Sequence, residues 1–181
     1  MNQVNKNAMK ATLLSLLAVV VMSTVAFAQQ DKSKRASPPD SITVTTDDGV
    51  TIDIHYSKPS LKGRKIGVEI APFGEVWRTG ANEATTFEID KDVLVQGQPL
   101  AAGKYGLYSI PGEQNVTLIF NKVWDQWGTR YDKAEDALRV DAVPSETDGD
   151  SVEQFTITGD KDGTVTLRWG VFVVPFSVAA Q

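Results

Sequence analysis

From Ser41 onward the apolar residues recur at every second position, and that period decides what the chain can become. Ile42 and Val44 alternate with Thr43 and Thr45, and Val50, Ile52, Ile54 and Tyr56 alternate with Thr51, Asp53, His55 and Ser57. A period of two puts the apolar side chains on one face of a strand, whereas a helix needs a period of 3.6. Turn signals cut the pattern into short pieces: Asp47-Asp48-Gly49, Gln96-Gly97-Gln98-Pro99, Pro111-Gly112 and Gly159-Asp160-Lys161-Asp162-Gly163. Between them lie strand-like runs at Thr85 to Ile89, Val93 to Val95, Lys104 to Ile110, Val116 to Phe120, Leu138 to Ala142, Phe155 to Ile157, Val165 to Trp169 and Val171 to Val178. Only Lys62 to Ile70 and Lys133 to Leu138 have the spacing for a turn or two of helix. About ten short strands with little helix predict an all-β, antiparallel β-sandwich. The pattern leaves a jelly-roll-like and an immunoglobulin-like strand order both open.

The ends read differently. Lys6 and Lys10 precede an apolar run, Ala11 to Val25, that is short for a membrane span. Ala26-Phe27-Ala28 then forms a small-residue cleavage box. Residues 1–28 are therefore expected to be a signal peptide, which makes the product periplasmic or extracellular with no membrane span in the mature chain. Residues 29–40, QQDKSKRASPPD, read as a disordered linker. Residues 41–181 are left for a single β-sandwich domain, a length that can bury a core.

Composition removes several kinds of chemistry. Without the leader the chain keeps 16 basic against 23 acidic residues, a net charge near −7. Nucleic-acid binding needs a basic face, so nucleic acid is not an expected partner. Cysteine is absent, which excludes disulfides, thiolate metal sites and a cysteine nucleophile. With His55 as the lone histidine, a histidine-rich metal site within one chain is excluded. The acidic pairs Asp47/Asp48 and Asp160/Asp162 read as turns rather than calcium loops. No phosphate-cradling or dinucleotide-binding glycine pattern is present. No metal and no cofactor is indicated.

Side chains able to hydrogen-bond concentrate between Leu61 and Thr85, LKGRKIGVEIAPFGEVWRTGANEAT. Arg78 offers a planar fork for a carboxylate, a phosphate or a sugar diol. Asn82 both donates and accepts, Glu83 can act as a base if desolvated, and Thr85 follows them. Gly80 permits a sharp turn between Arg78 and Asn82. The competing reading is a structural network in which arginine and glutamate pin the loop and asparagine bonds its own backbone. Arg64 stands in the preceding loop and can face the same cleft or plain solvent. Trp77 belongs to the run, although it and Trp169 read first as core. Trp124 and Trp127, in VWDQWG with Asp125 and Gln126, can form a sugar-stacking platform or cover apolar surface. His55 shares a strand face with Asp53 and Ser57; alternate residues sit about 7 Å apart along a strand, which argues against a direct triad contact.

WRTGANEAT, with LKGRKIG before it, resembles an uncharacterised bacterial family, domain of unknown function 2911. The resemblance extends in order through YSKPSLKGR, AAGKYGLYSIPG, IFNKVWDQWG and LRV, nearly the whole chain after the leader. Two departures stand out: Ile66 runs directly into Gly67 where the family usually has Phe-Gly, and Phe73 stands where tyrosine is common. The resemblance implies an exported β-rich domain and supplies no mechanism.

Three functions stay open on these residues. A non-catalytic binding module would hold a small polar ligand, a glycan or a peptide through Arg64, Trp77, Arg78, Asn82, Glu83, Thr85, His55, Trp124 and Trp127. A glycan hydrolase would pair Glu83 with Glu69 or Glu75 across a cleft. A structural envelope protein would use the motif only to lock its fold. Oligomeric state is not readable from the pattern.

Overall fold

A computed structural model describes residues 31–146 and 149–181. The signal-peptide reading falls outside the described residues. Near the start, Lys32–Lys34 make one 3-10 turn, capped by the Asp31 carboxylate, which accepts from Ser33 N at 3.1 Å. The remainder, Ala36–Gln181, forms a compact unit of its own.

Fourteen strands build that unit among the described residues. They are β1 (Pro39–Thr45), β2 (Thr51–Ser57), β3 (Ile66–Gly67), β4 (Ile70–Pro72), β5 (Thr85–Ile89), β6 (Val93–Val95) and β7 (Gln98–Leu100). The second half adds β8 (Gly103–Ile110), β9 (Val116–Asn121), β10 (Asp136–Ala142), β11 (Ser145–Glu146), β12 (Val152–Gly159), β13 (Thr164–Gly170) and β14 (Phe172–Ala180). One sheet runs β1-β2-β5-β8-β9-β10 and the other β12-β13-β14-β6-β7, with β11 added on β14. Every pairing within these two sheets is antiparallel, and the sheets face each other as an open sandwich, not a closed barrel. The four strands beyond the ten expected from alternation are β3, β4, β7 and β11. Each has only two or three residues, without the Val-x-Val alternation that marks the equally short β6.

The alternation is realised as inward and outward faces. In β2, Ile52, Ile54 and Tyr56 are buried while His55 points to solvent. Phe87 of β5 and Phe120 of β9, 5.0 Å apart in the first sheet, meet Phe176 of β14 across the layers with ring centroids 6.3 and 6.4 Å apart. Such aromatic contacts add to the area they bury. Tyr56 ties the sheets together: its hydroxyl accepts from Ile157 N of β12 at 3.1 Å and donates to Asp40 Oδ2 at 3.2 Å. Burial, the leading cause, together with the Asp40 charge, pushes the Tyr56 phenol up to about 12.

Two local expectations change. Lys62 to Ile70 forms no helix, because Lys62, Gly63 and Gly67 all take positive φ (50°, 74° and 84°). The segment instead turns back on itself and pairs β3 with β4 in parallel. Lys133–Glu135 does make one 3-10 turn, with Asp132 capping Ala134 N at 2.9 Å, before the chain enters β10. Strand β1 also begins at Pro39, two residues before the alternating run, and Ser37 already accepts a hydrogen bond from Asn82.

Candidate functional site

The run Trp77–Thr85 divides its side chains between interior and surface. Thr79, Asn82 and Thr85 form an internal network. Thr85 Oγ1 donates to Thr79 O at 2.7 Å, and Thr79 Oγ1 donates to Ser109 Oγ at 2.9 Å. Asn82 Nδ2 donates to Ser37 O at 2.9 Å and to Ser57 Oγ at 3.2 Å. Asn82 sits at φ 62°, a conformation asparagine tolerates better than most residues. Gly80, at φ 154°, leaves room that a Cβ would not: its Cβ would come within 2.8 Å of Thr85 Oγ1 and 3.1 Å of Ser57 O. Trp77 packs on the core, stacked on Trp169 at 5.3 Å with an interplanar angle of 12°. Arg64 is exposed and donates to the carbonyls of Leu61 (3.0 Å) and Ser60 (2.7 Å), so it caps its own turn.

Arg78 and Glu83 leave this network. Arg78 is half-buried, and among the described residues its guanidinium makes no hydrogen bond or ion pair. It borders a hollow of about 410 Å³ lined with Val76, Trp77, Gly128, Thr129 and Tyr131. Glu83 lines a second hollow, of about 380 Å³, on the outer face of the first sheet. That cleft brings Glu83 together with His55, Trp124 and Trp127, all from the sequence-derived set. It adds Ala84, Thr86, Lys104, Asp125 and Gln126. Glu69 and Glu75 line neither hollow, and Glu69 Oε2 accepts from Lys65 N at 2.9 Å.

Strand register builds the floor. His55 of β2 lies directly across from Thr86 of β5, which lies across from Gly106 of β8. Gly106 is where the tryptophan loop lands: a Cβ there would stand 3.0 Å from Val123 O and 3.6 Å from Trp124 Cα. The loop leaves β9 at Asn121, whose buried amide donates to Asp132 O and Asp136 Oδ1, both at 2.9 Å, while its Oδ1 accepts from Val123 N at 3.0 Å. At its far side the loop is stitched to the motif, with Ala84 N donating to Gln126 O and Gly128 N to Asn82 O, both at 3.0 Å. Gln126 Nε2 donates to Tyr108 OH at 3.2 Å. These ties hold Trp124 and Trp127 on the surface, 39% and 45% exposed. Lys104 Nζ sits 4.8 Å from the Trp124 ring centroid and 3.0 Å from Glu88 Oε2, a cation–π contact coupled to an ion pair.

Two polar groups in the cleft have informative partners. His55 Nε2 lies 2.7 Å from Asp53 Oδ1, which corrects the expectation that alternate residues on a strand stay out of contact. Their backbones are well separated, but an imidazole and a carboxylate lean along the strand far enough to meet. Asp53 Oδ2 accepts from Thr43 Oγ1 at 2.6 Å. Ser57 is taken by Asn82, so the Asp-His-Ser row is no triad. Thr86 Oγ1 is buried and, among the described residues, has no hydrogen-bond partner. An unpaired buried hydroxyl costs about 1–3 kcal/mol, and this one is closed off from the cleft by its own burial.

Thr86 and Lys104 escaped the sequence reading because only the pairing of β2, β5 and β8 brings them beside His55. Their signal was the outward parity of Thr86 and Glu88 around Phe87. Among the described residues no group of three or more His, Cys, Asp or Glu stands close enough to hold a metal ion. No helix among them is long and apolar enough to cross a membrane.

Fold and site together define an antiparallel β-sandwich with an aromatic-walled cleft on one outer sheet face. The chain belongs to the family described as Protein of unknown function (DUF2911), whose model matches residues 37–178. No curated protein and no solved structure matches the chain.

Proposed function

We propose that this is an exported, non-catalytic binding module that holds a small polyhydroxylated ligand, a glycan, against Trp127 and Trp124. The observation carrying this reading is the pair of half-exposed tryptophans on a loop hydrogen-bonded along its length, beside Glu83 and His55. A pyranose has apolar C–H faces and a rim of hydroxyls. The faces stack on indole rings, and the hydroxyls pair with carboxylate and imidazole groups around them. Because the loop is already fixed, little freedom is lost on binding. Export is supported by the charged, apolar and small-residue pattern of residues 1–28.

A glycan hydrolase is less well supported. Glu69 and Glu75, the acids expected to partner Glu83, lie outside the cleft, where Asp125 is the other carboxylate, and the Asp-His-Ser row has its serine engaged elsewhere. The test is calorimetric titration with soluble glucose and N-acetylglucosamine oligomers. Saturable binding without bond cleavage is expected. Hydrolysis products would favour the catalytic reading, and no binding to any oligomer would remove the glycan assignment.

A further inference from the structure

We propose a second binding site, independent of the tryptophan cleft: the hollow beside Arg78 takes the carboxylate of a small organic acid. Val76, Trp77, Arg78, Gly128, Thr129 and Tyr131 line it, and none of them lines the cleft that holds Glu83. Its volume of about 410 Å³ falls within the roughly 300–1,000 Å³ of small-molecule sites.

Charge is the first observation. Arg78 is half-buried, and among the described residues nothing pairs with its guanidinium. The fold withdraws part of its water and returns no partner, a cost that a bound anion would offset. Carboxylates are not scarce, since the chain carries 23 acidic against 18 basic residues. Yet no acid lines this hollow. The acid that Tyr131 touches, Asp136, is already engaged. Its Oδ2 accepts from Tyr131 OH at 2.7 Å and from Arg139 Nε at 2.8 Å, and its Oδ1 accepts from Asn121 Nδ2 at 2.9 Å. The charge of Arg78 is left for a partner from outside the chain.

Positioning is the second. A Cβ at Gly128 would fall 2.5 Å from Arg78 Cδ and 3.0 Å from Arg78 Cβ, so the arginine stem lies on bare backbone. That backbone is fixed, with Gly128 N donating to Asn82 O at 3.0 Å and Arg130 N to Trp127 O at 2.8 Å. The residue before the arginine is fixed too: Trp77 N donates to Ser109 O at 2.7 Å, and Ser109 N donates to Trp77 O at 2.9 Å. A guanidinium on so constrained a stem loses little freedom when it engages a ligand.

The lining selects the anion. One guanidinium supplies one charge and two parallel N–H donors, which match a planar carboxylate. No second basic residue lines the hollow to balance a phosphate dianion. Val76, 41% exposed, joins Trp77 and Tyr131 in offering apolar surface to the carbon part of the acid.

Benzoate is the direct probe. Benzamide, of the same shape without the charge, and inorganic phosphate are its controls. Ligand-observed NMR on the full chain should show saturable benzoate binding with a Kd of about 1 mM, with benzamide and phosphate at least tenfold weaker. Arg78→Gln should weaken benzoate at least tenfold, and Arg78→Lys, which keeps the charge and loses the fork, by a smaller factor. Both variants should melt within about 4 °C of the native chain. Val76→Asp, which sets an acid at the exposed rim and leaves Arg78 in place, should also weaken benzoate. Three results would overturn the proposal: no saturable benzoate binding to the native chain, phosphate binding tighter than benzoate, or equal benzoate binding by Arg78→Gln. Because glycan titration reads the other cleft, loss of either proposal leaves the other standing.

Discussion

Asn82 and Arg78 sit one turn apart in the same run, yet their surroundings assign them opposite consequences. Asn82 holds Ser37 and Ser57 from a left-handed backbone position. Asn82→Ala removes both bonds and leaves alanine in that conformation, at a cost of about 2–4 kcal/mol. For a domain of this size the Tm should fall by roughly 5–12 °C in a thermal melt. Arg78 has no such bonds among the described residues, so Arg78→Ala should cost no more than about 1 kcal/mol, mostly packing of its stem beside Gly128. Equal losses for the two variants would contradict this division. His55 teaches the same lesson from the other side. Its contact with Asp53 depends on side-chain reach, which a count of strand spacing omits.

Among the elements, the tryptophan loop is fixed by two glycines. Gly106 lets Val123 and Trp124 approach β8, and Gly128 lets Arg78 and Asn82 O approach the loop's return. A Cβ at Gly128 would meet Arg78 Cδ at 2.5 Å and Asn82 O at 3.0 Å. The first can move, but the second is backbone, so Gly128→Ala should tilt the loop. We expect a Tm loss of roughly 2–6 °C, from a cost of about 1–2 kcal/mol, and at least a tenfold loss of glycan affinity by calorimetry. The long strands were legible because alternation over five or more residues encodes a buried face, as in β2 and β13. β3, β4, β7 and β11 were not, since their two or three residues lack the Val-x-Val alternation that marks the equally short β6. The site was legible in part. Glu83, His55, Trp124 and Trp127 were singled out by chemistry. Thr86 and Lys104 join them only through register, which is set by long-range pairing. Asn82 and Thr85 carry polar groups that the sequence cannot orient, and the fold turns them inward, while Trp77 packs on the core as first read.

For the molecule as a whole, the two sheets are joined at Tyr56, whose hydroxyl links Asp40 of β1 to Ile157 of β12. Burial works against the Asp40 carboxylate and is the largest single effect. Lys58 at 3.1 Å, Ser41 N at 2.9 Å and the Tyr56 hydroxyl together outweigh it and hold Asp40 below the usual carboxylate range. A carboxylate whose folded pKa is depressed stabilises the fold above its unfolded value, near 4, and loses that contribution as pH falls through the folded value. The Tm should therefore hold steady down to about pH 5 and fall below pH 4. Asp40→Asn should lower the plateau and flatten the acid limb, as read by melts between pH 2 and 7. An unchanged acid limb in Asp40→Asn would contradict that link. The central claim is that the tryptophan face outside the sheet binds ligand while the motif beneath it holds the fold. Its most direct test is a paired measurement of Trp127→Ala and Asn82→Ala, each titrated with the tightest-binding oligosaccharide and each melted. Trp127→Ala should keep its Tm within about 2 °C and lose at least tenfold in affinity, with Asn82→Ala losing Tm instead. A Trp127→Ala protein that binds the oligosaccharide as tightly as the native chain would contradict the account.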